Sequence, residues 1–445
     1  MVRFKEYSIR VFFLLLLCTT SCNKVDPPPD LTVLTLKLED VSCTEAWITL
    51  TTNNLQLPAT FNLLIDNNVT KTINLQSADT LLYIDSLLPN QTYNFKLSGI
   101  GNPASGINSN ELSVTTLDTT SHNFTWQTFT FGEHSNSILR DVAIIDENNM
   151  WAVGEIRIAD TSSVGYTLYN AAQWDGNEWN LHRIMFYTVC GQQHQNAYQA
   201  SSVFLLPENE ICIAMKGDQI AKIENGIHTK TLCLPWLFSL NKIWGKSSDD
   251  IYTIATNGNI AKYQTGTWSQ MQSGTTVDLL DIWGSPDGTV WACGYNSEDA
   301  FTSLLRYDGT QWNKVYEGSP NNQNNNEYIG PIVGVWTNSN FFTYVTNWAF
   351  IYTQPNNNTL DIKRITPWFS DVAFAMRGTD HNNIFIAGQD GLVGHYNGVT
   401  YTEFNELKEN AKNYLGVAVK DNIAVAVGVK YGGLSSQAVI SIGRR

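Results

Sequence analysis

The chain has 445 residues, too many for one ordinary hydrophobic core, so two or three domains are expected. Hydrophobic residues make up 43% of it and charged residues 15%, and it contains 14 Trp, 19 Tyr and 19 Phe, which excludes a disordered chain and indicates an aromatic-rich β protein. The 27 Lys and Arg against 41 Asp and Glu give a net charge of −14 without a basic run, which argues against a nucleic-acid partner.

The N-terminus has the pattern of a targeting signal followed by a tether. Residues 1–21 are the predicted signal peptide: a basic segment precedes the apolar run VFFLLLL, which is too short to span a bilayer, and the small-residue segment CTTSC follows at 18–22. TTSC resembles a bacterial lipobox, which implies cleavage before Cys22 and its acylation. Plain secretion is the alternative, because Thr19 stands where Leu is commonest. We expect a lipid anchor at the bacterial outer membrane or cell surface, with the Pro-rich 22–30 as a stiff tether.

Residues 31–118 contain six short alternating segments: LTLKLEDVS, EAWITLTT, TFNLLIDN, TLLYIDSL, TYNFKLSGI and ELSVTTLD. Turn residues separate them at the spacing of a β-sandwich. The span resembles a fibronectin type III domain, because Trp47 lies in the second segment and Leu87, Pro89 and Tyr93 match the core leucine and tyrosine corner of that family. The resemblance implies a spacer or an adhesion module, and the loop GIGNPASGINSN carries no adhesive tripeptide.

Two phrases recur in 123–445. One joins two apolar segments through an Asp, Asn or Gly turn and ends in Gly, as in IDENNMWAVG, SPDGTVWACG, TDHNNIFIAG and DNIAVAVG. The other places Gly and an aromatic residue after a strand, and its glycines are Gly176, Gly226, Gly266, Gly309 and Gly398. Their steps of 50, 40, 43 and 89 residues, the last being two units, are typical of four-stranded propeller blades.

Seven inner strands can be counted, beginning near residues 140, 201, 240, 279, 331, 370 and 415. The seventh unit lacks a fourth strand, while FTWQTFTF at 124–131 is left over before the first unit. We therefore predict that 124–131 pairs with the last strand and closes the ring. The predicted fold class is all-β, with a fibronectin type III-like β-sandwich followed by a seven-bladed β-propeller. SPDGTVW at 285–291 resembles the Asp-box of sialidase-type propellers, and DGTVWACG the repeat of sensor-kinase propellers; both imply a structural role.

No catalytic residue, metal or cofactor is predicted. Arg140, Arg306 and Arg377 lie in separate units, but the early Arg-Ile-Pro signature of sialidases is missing, so we interpret Arg377 as part of a local ion pair or rim. His182 and His194 have no nearby acidic partner, and no phosphate loop, Ser-centred elbow or metal motif is present. Paired carboxylates cannot be recognised from sequence spacing in a ring, so a propeller glycosidase or lyase acting on a polysaccharide is the alternative function.

Five cysteines follow Cys22, without the spacing of a zinc site. Cys190 and Cys233 are the predicted disulfide, because both are expected at blade ends on one face of the ring. The odd count leaves at least one thiol free.

The longest predicted connections emerge on one face of the ring and comprise 155–170, 185–199, 295–302 and 317–328. The predicted ligand-binding residues on this face are Trp348, Tyr187, Tyr295, Tyr328, Tyr431, Trp236 and Trp368. Trp236 and Trp368 occupy equivalent places in LPWLF and TPWF and can instead wedge between blades, whereas Trp348 has no such copy. We predict a non-catalytic module that binds glycan or an envelope or extracellular protein, with the lipid anchor as its only membrane attachment and its oligomeric state left open.

Overall fold

The computed structural model describes residues 33–132, 136–320, 328–433 and 435–445. Within these ranges the regular structure is β-strand, apart from two short 3-10 turns, Gln389–Gly391 and Asn405–Leu407. No helix in this part of the chain is long and apolar enough to cross a membrane. The predicted signal peptide, the lipidated Cys22 and the tether lie outside the described residues.

Seven strands form the first two sheets. They are β1 (Val33–Val41), β2 (Ala46–Asn53), β3 (Ala59–Ile65), β4 (Asn68–Leu75), β5 (Asp79–Ile84), β6 (Thr92–Ile100) and β7 (Leu112–Thr115). One sheet has the order β1-β2-β5 and the other the order β4-β3-β6-β7. Buried and exposed positions alternate at the start of β1, where Leu34 and Leu36 point into the core, as expected for strands with one solvated face.

By its internal contacts the chain divides into two compact units. The smaller one comprises residues up to Leu36 together with Leu50–Thr80 and Phe95–Glu111. The larger one comprises Lys37–Thr49, Leu81–Asn94 and Leu112–Arg445. The candidate site lies entirely in the larger unit.

In the described part of the larger unit, seven four-stranded sheets follow one another; we call them ring sheets 1 to 7. Strand β8 (Thr125–Phe131) precedes these sheets in the chain and forms the fourth strand of ring sheet 7. Ring sheet 1 contains β9 (Ile138–Asp146), β10 (Asn149–Ala159), β11 (Tyr166–Trp174) and β12 (Trp179–His182). A separate hairpin of β13 (Met185–Tyr187) and β14 (Gln195–Ala197) follows. Ring sheet 2 contains β15 (Ala200–Leu205), β16 (Ile211–Met215), β17 (Gln219–Glu224) and β18 (Ile227–Cys233).

The remaining ring sheets have the same order. Ring sheet 3 contains β19 (Leu240–Ser247), β20 (Asp250–Ala255), β21 (Ile260–Gln264) and β22 (Thr267–Met271). Ring sheet 4 contains β23 (Leu279–Gly284), β24 (Val290–Tyr295), β25 (Thr302–Tyr307) and β26 (Trp312–Gly318). Ring sheet 5 contains β27 (Ile332–Trp336), β28 (Phe342–Asn347), β29 (Ile351–Pro355) and β30 (Lys363–Arg364). Ring sheet 6 contains β31 (Ala373–Asp380), β32 (Asn383–Gly388), β33 (Val393–Tyr396) and β34 (Tyr401–Glu403), and ring sheet 7 contains β35 (Lys412–Lys420), β36 (Ile423–Gly432) and β37 (Ser435–Arg444) beside β8.

The first strand of each ring sheet contacts the first strand of the next, and β35 contacts β9, so the sheets close into a ring. The predicted closure is confirmed, because β8 runs antiparallel to β37 with Phe131 opposite Ala438 and Trp126 opposite Gly443. The hydroxyl groups of Thr128 and Ser441 also hydrogen-bond across this pair at 2.7 Å. The N-terminal strand thereby covers an edge that would otherwise be open to aggregation.

The aromatic residues of the second recurring phrase pack in the interior. Trp312 lies 5.4 Å from Tyr307 between ring centroids and joins a buried cluster with Trp244 of the preceding sheet. In the Asp-box-like turn, Asp287 accepts hydrogen bonds from the Ser285 hydroxyl and from the backbone N–H of Thr289. Both phrases therefore have a structural role, as predicted.

Each inner strand carries a one-residue β-bulge near its start. The residues left unopposed by the second strand are Arg140, Ser201, Asn241, Leu280, Val333, Phe374 and Leu415. In four sheets the glycine that ends the first recurring phrase lies against this bulge. At Gly294, for example, an added Cβ would clash with the carbonyl oxygen of Asp278 and lie 2.8 Å from the Cα of Leu279. The recurring glycine thus allows the close approach of the bulged backbone.

Two of the predicted connections are wrong in part. Residues 155–170 were expected to be a loop, but β10 continues to Ala159 and β11 begins at Tyr166, because Ile156 is fully buried and Arg157 stacks on the ring of Tyr166 at 5.0 Å. Residues 185–199 contain the β13–β14 hairpin. The connection at 296–301 is confirmed, and part of 317–328 lies outside the described residues.

The predicted disulfide between Cys190 and Cys233 is confirmed. It ties the β13–β14 hairpin to the end of β18. The free cysteines of the described chain are Cys43, Cys212 and Cys293, all of which are buried.

His395 in β33 gives the fold a predicted pH dependence. It is fully buried, stacks on Phe385 at 4.5 Å, and its Nδ1 lies 2.9 Å from Nδ1 of His122. Burial, with added repulsion from His122 and Arg445, lowers its pKa to about 3. Because the unfolded-state pKa is about 6.5, the stability that depends on a neutral ring is present above that pH and is lost as the pH falls, by about 1.4 kcal/mol per pH unit down to about pH 3.

We expect the His395→Gln variant to show a smaller fall in the free energy of unfolding between pH 7 and pH 4 than the wild type, measured by urea titration at each pH. The exposed His194 provides the control, since His194→Gln is expected to keep the wild-type pH profile. Identical profiles for the wild type and His395→Gln would contradict the assignment.

Candidate functional site

All seven unopposed bulge residues line one cavity of about 370 Å³, which we call the upper cavity. It opens where the inner strands begin, which is also the end where the second strand connects to the third and each sheet connects to the next. The first three ring sheets contribute the polar Arg140, Ser201 and Asn241. The other four contribute the apolar Leu280, Val333, Phe374 and Leu415. The bulges therefore give this cavity a polar half and an apolar half.

The upper cavity is also rich in cations. Its lining includes Lys216, Lys242 and Arg377 besides Arg140, with Asp281 as the acidic member. Arg140 contacts the buried Glu155 at 3.3 Å. The side chain of Lys216 is exposed at the cavity, and its pKa is lowered because the surrounding protein partly desolvates the ammonium group and Arg140 repels it. No hydrogen bond or ion pair of the Lys216 ammonium group occurs with the residues that the structure describes. This ammonium group is therefore available to an anionic group of a ligand.

Two ion pairs cross the centre of the ring below the upper cavity, and we call them the ion-pair belt. Nζ of Lys242 in ring sheet 3 lies 2.7 Å from Oδ1 of Asp141 in ring sheet 1. Arg377 of ring sheet 6 donates from both terminal nitrogens to Asp281 of ring sheet 4, at 2.8 and 2.7 Å. Each pair skips one sheet, and the sheet between contributes a further donor, such as the hydroxyl of Ser202 to Asp141 at 2.8 Å. The belt therefore joins sheets that are not neighbours.

Each oxygen of the two belt carboxylates accepts at least one hydrogen bond. Asp141 accepts backbone N–H bonds from Val142 and Val203 in addition to its bonds from Lys242 and Ser202. Asp281 accepts from Arg377 at both oxygens and from the backbone N–H of Val335. A glycosidase needs a carboxyl group that can reach the substrate. The described residues also contain no group of three or more His, Cys, Asp or Glu side chains placed to hold a metal ion.

The three arginines considered in the sequence analysis do not converge. Arg140 and Arg377 line the upper cavity, but Arg306 donates to Asn356 at 2.6 Å and to Asn358 at 3.1 Å. Arg377 does form an ion pair, but the pair is not local as expected, because its partner Asp281 belongs to a ring sheet that is not a neighbour and lies 96 residues away in the chain.

Of the seven predicted ligand-binding residues, Tyr295 lines the upper cavity. Its ring meets that of Trp348 edge to face at 5.5 Å, and burial raises its pKa. The hydroxyl of Tyr328 donates to the carbonyl oxygen of Ala300 at 2.8 Å, which holds it against the 296–301 connection. Tyr295 and Trp348 thus form one pair at the cavity wall.

The other four predicted residues lie on the same face at separate places. The backbone of Tyr187 is held by two hydrogen bonds with the side chain of Gln219. Trp236 stacks on Phe238 at 5.7 Å and packs against a core cluster, as the wedge interpretation expected. Trp368 rests edge to face on Phe350 at 4.6 Å but is 72% exposed, and Tyr431 is also exposed. Whether these residues bind a ligand stays a prediction.

Sequence reasoning missed Lys216, Lys242 and Asn241. Asp141, Lys242 and Asp281 occupy the same position when the inner strands are aligned on their bulges, but the bulges are features of the structure and not of the sequence pattern.

The ring of four-stranded sheets around a central cavity defines the chain as a β-propeller protein. A solved structure described as YCF48 bound to D1 peptide is similar to it, with a TM-score of 0.51 and 14% identity over 74% of this chain and 97% of that chain. The WD40 β-propeller domain of Doa1 has a TM-score of 0.47 and 10% identity over 71% of this chain and 96% of that chain. No protein-family model and no curated protein matches the sequence. Because the sequence identity to the YCF48 structure is 14%, this similarity shows the fold alone.

Proposed function

We propose that the face around the upper cavity binds a segment of a protein partner without catalysing a reaction. The observation that carries this proposal is a set of exposed large apolar side chains on that face: Val164, Val189, Leu237, Trp368 and Tyr431. Leu237 is 94% exposed. Exposed apolar side chains on the face that holds a cavity with a polar, cationic half can supply the apolar contacts of a protein-binding surface.

A protein is favoured over a glycan by the kind of side chain exposed. Three of the five, Val164, Val189 and Leu237, are aliphatic, whereas sugar stacking needs free aromatic faces, which only Trp368 and Tyr431 of this set offer. Tyr295 and Trp348 pack against each other, which leaves them half-buried. The peptide in the YCF48 structure, a propeller of similar fold, is consistent with this choice.

A displayed peptide library selected on the purified chain tests the proposal. We expect the selected peptides to bind Leu237→Asp and Trp368→Ala at least about tenfold more weakly, because each change removes an exposed apolar contact. Ile227→Asp is the matched control: Ile227 is also highly exposed, but it is the first residue of β18, next to the β17–β18 turn at the other end of the sheets.

Equal losses in all three variants would contradict the choice of face. A panel of polysaccharides incubated with the same protein separates the alternatives: retention without products favours the glycan-binding function, and released products favour the glycosidase or lyase.

We also infer that the seven ring sheets are seven blades of one propeller and that 31–118 form a fibronectin type III-like spacer. The hydroxyl of Tyr93 accepts the backbone N–H of Leu88 at 2.9 Å, which supports the tyrosine corner. The closed contacts of the inner strands support the blade count. The lipobox-like TTSC supports a lipoprotein of the bacterial envelope anchored through Cys22, and the intact mass of the mature chain tests this inference.

A further inference from the structure

A second cavity, of about 290 Å³, lies further along the same inner strands, on the other side of the ion-pair belt. We call it the lower cavity. It shares Lys242 and Arg377 with the upper cavity. Its walls include Val142–Ile144 of β9, Val203–Leu205 of β15 and Ala418–Lys420 of β35. The belt therefore separates two cavities that open towards opposite ends of the ring.

The lower cavity combines apolar walls with positive charge. Its lining among the described residues contains the cations Lys242, Arg377 and Lys420 and no acidic side chain. Of the belt carboxylates, Asp281 lines the upper cavity, and Asp141 is 3% exposed. Lys242 and Arg377 reach the lower cavity while they stay paired with these carboxylates, and Lys420 adds a cation that has no acidic partner among the described residues. This is a local excess of positive charge in a chain with a net charge of −14.

The three cations keep donors that the described residues do not use. Arg377 makes three hydrogen bonds, two to Asp281 and one to the carbonyl oxygen of Met376, whereas a guanidinium has five N–H groups. The ammonium group of Lys242 donates one bond to Asp141, and that of Lys420 one bond to the carbonyl oxygen of Ile145. A carboxylate that enters the cavity can therefore be bound without breaking the belt.

The aromatic rings of the cavity provide a surface for an apolar body. The Cζ atom of Arg377 lies 4.8 Å from the ring centroid of Trp283. The ring of Phe204 meets that of Trp283 edge to face, with 5.8 Å between the ring centroids. The indole N–H of Trp283 donates to the carbonyl oxygen of Thr337, which fixes the ring. The walls are thus held in place before a ligand enters.

We propose that the lower cavity binds a small apolar carboxylate, with its charged end at Arg377, Lys242 and Lys420 and its apolar end against Phe204 and Trp283. A cavity of this size is at the lower end of ligand pockets and holds about ten non-hydrogen atoms at about 30 Å³ each. Octanoate has this size. The proposal does not depend on what the upper face binds.

Isothermal titration calorimetry of the full mature chain with octanoate, and with octanamide as its uncharged counterpart, tests the proposal. We expect octanoate to bind at least tenfold more tightly than octanamide, because hydrogen bonds to a charged acceptor are the stronger ones. Ala418→Leu narrows the lower cavity and should weaken octanoate at least tenfold. Ala375→Leu is the matched control, because Ala375 lies on the neighbouring inner strand but lines the upper cavity.

Lys420→Gln gives a second test that does not fill the cavity. Lys420 is half-buried near the end of β35, so the variant is expected to fold, and it should weaken octanoate but not octanamide. Absence of octanoate binding, or equal affinities for the acid and the amide, would overturn the proposal. Loss of binding in Ala375→Leu with none in Ala418→Leu would place the ligand in the upper cavity and overturn it as well.

Discussion

Asp281→Ala is expected to lower the free energy of unfolding of the ring by about 3–5 kcal/mol, the usual cost of removing one partner of a buried ion pair. The change leaves the guanidinium of Arg377 buried without a counter-ion and removes the acceptor of the Val335 N–H. Because the pair joins ring sheets 4 and 6, its loss also removes a bond between sheets that are not neighbours. Urea unfolding followed by far-ultraviolet circular dichroism measures the change.

A double variant separates the charge effect from the loss of volume. Asp281→Leu combined with Arg377→Met removes both charges, so it should recover most of the stability lost in the single variant. Lys430→Gln is the surface control: Lys430 and Glu409 form an exposed pair at 2.6 Å, and pairs of this kind contribute about 0–1 kcal/mol. If Asp281→Ala costs no more than Lys430→Gln, the belt does not stabilise the ring.

The ring could be predicted because its signals are local. Asn, Asp and Gly turns mark the hairpins, and each unit repeats the same short phrase. The pairing of β8 with β37 followed from counting strands, although Phe131 and Ala438 lie 307 positions apart. The closure of the ring could be predicted because the sequence shows one extra strand before the first unit and one missing strand in the last unit.

The ion-pair belt could not be predicted in the same way. Asp141 and Lys242 are 101 residues apart, and no local pattern indicates which sheets face each other across a ring. The bulges add a second obstacle. In a regular strand, side-chain direction alternates with a period of two, but one extra residue shifts that alternation. The direction in which the Arg140 or Leu280 side chain points therefore depends on a bulge that the sequence pattern does not reveal.

The candidate site was predicted only at the level of its face. The aromatic residues were chosen because they lie on the face with the longest connections and can stack on a ligand, and of these Tyr295 lines the upper cavity. Lys216 and Asn241 have no repeated copy and belong to no motif. A single polar residue at a strand end gives no signal, because an ordinary solvated turn requires the same kind of residue. Their convergence depends on how the ring closes.

Gly294→Ala is the second change expected to have a large effect, with a loss of about 2–4 kcal/mol in the free energy of unfolding. The added Cβ would clash with the carbonyl oxygen of Asp278 and lie 2.8 Å from the Cα of Leu279, so the bulge in β23 must open. Opening it also moves Leu280, so the apolar half of the upper cavity changes and peptides selected on the wild type should bind more weakly. Urea unfolding and the peptide-binding measurement follow the two effects.

Gly432→Ala is the matched control, because its nearest neighbour is the Ser435 carbonyl oxygen at 3.8 Å; a change within about 0.5 kcal/mol is expected. The same position in ring sheet 3 holds Ala255, which lies opposite Leu240, so a bulge by itself does not require glycine. Glycine is required at position 294 because the backbones of β23 and β24 lie close together there. If Gly294→Ala is as neutral as Gly432→Ala, ring sheet 4 can relax to the spacing that accommodates Ala255, and the recurring glycine reflects turn geometry instead of a close approach.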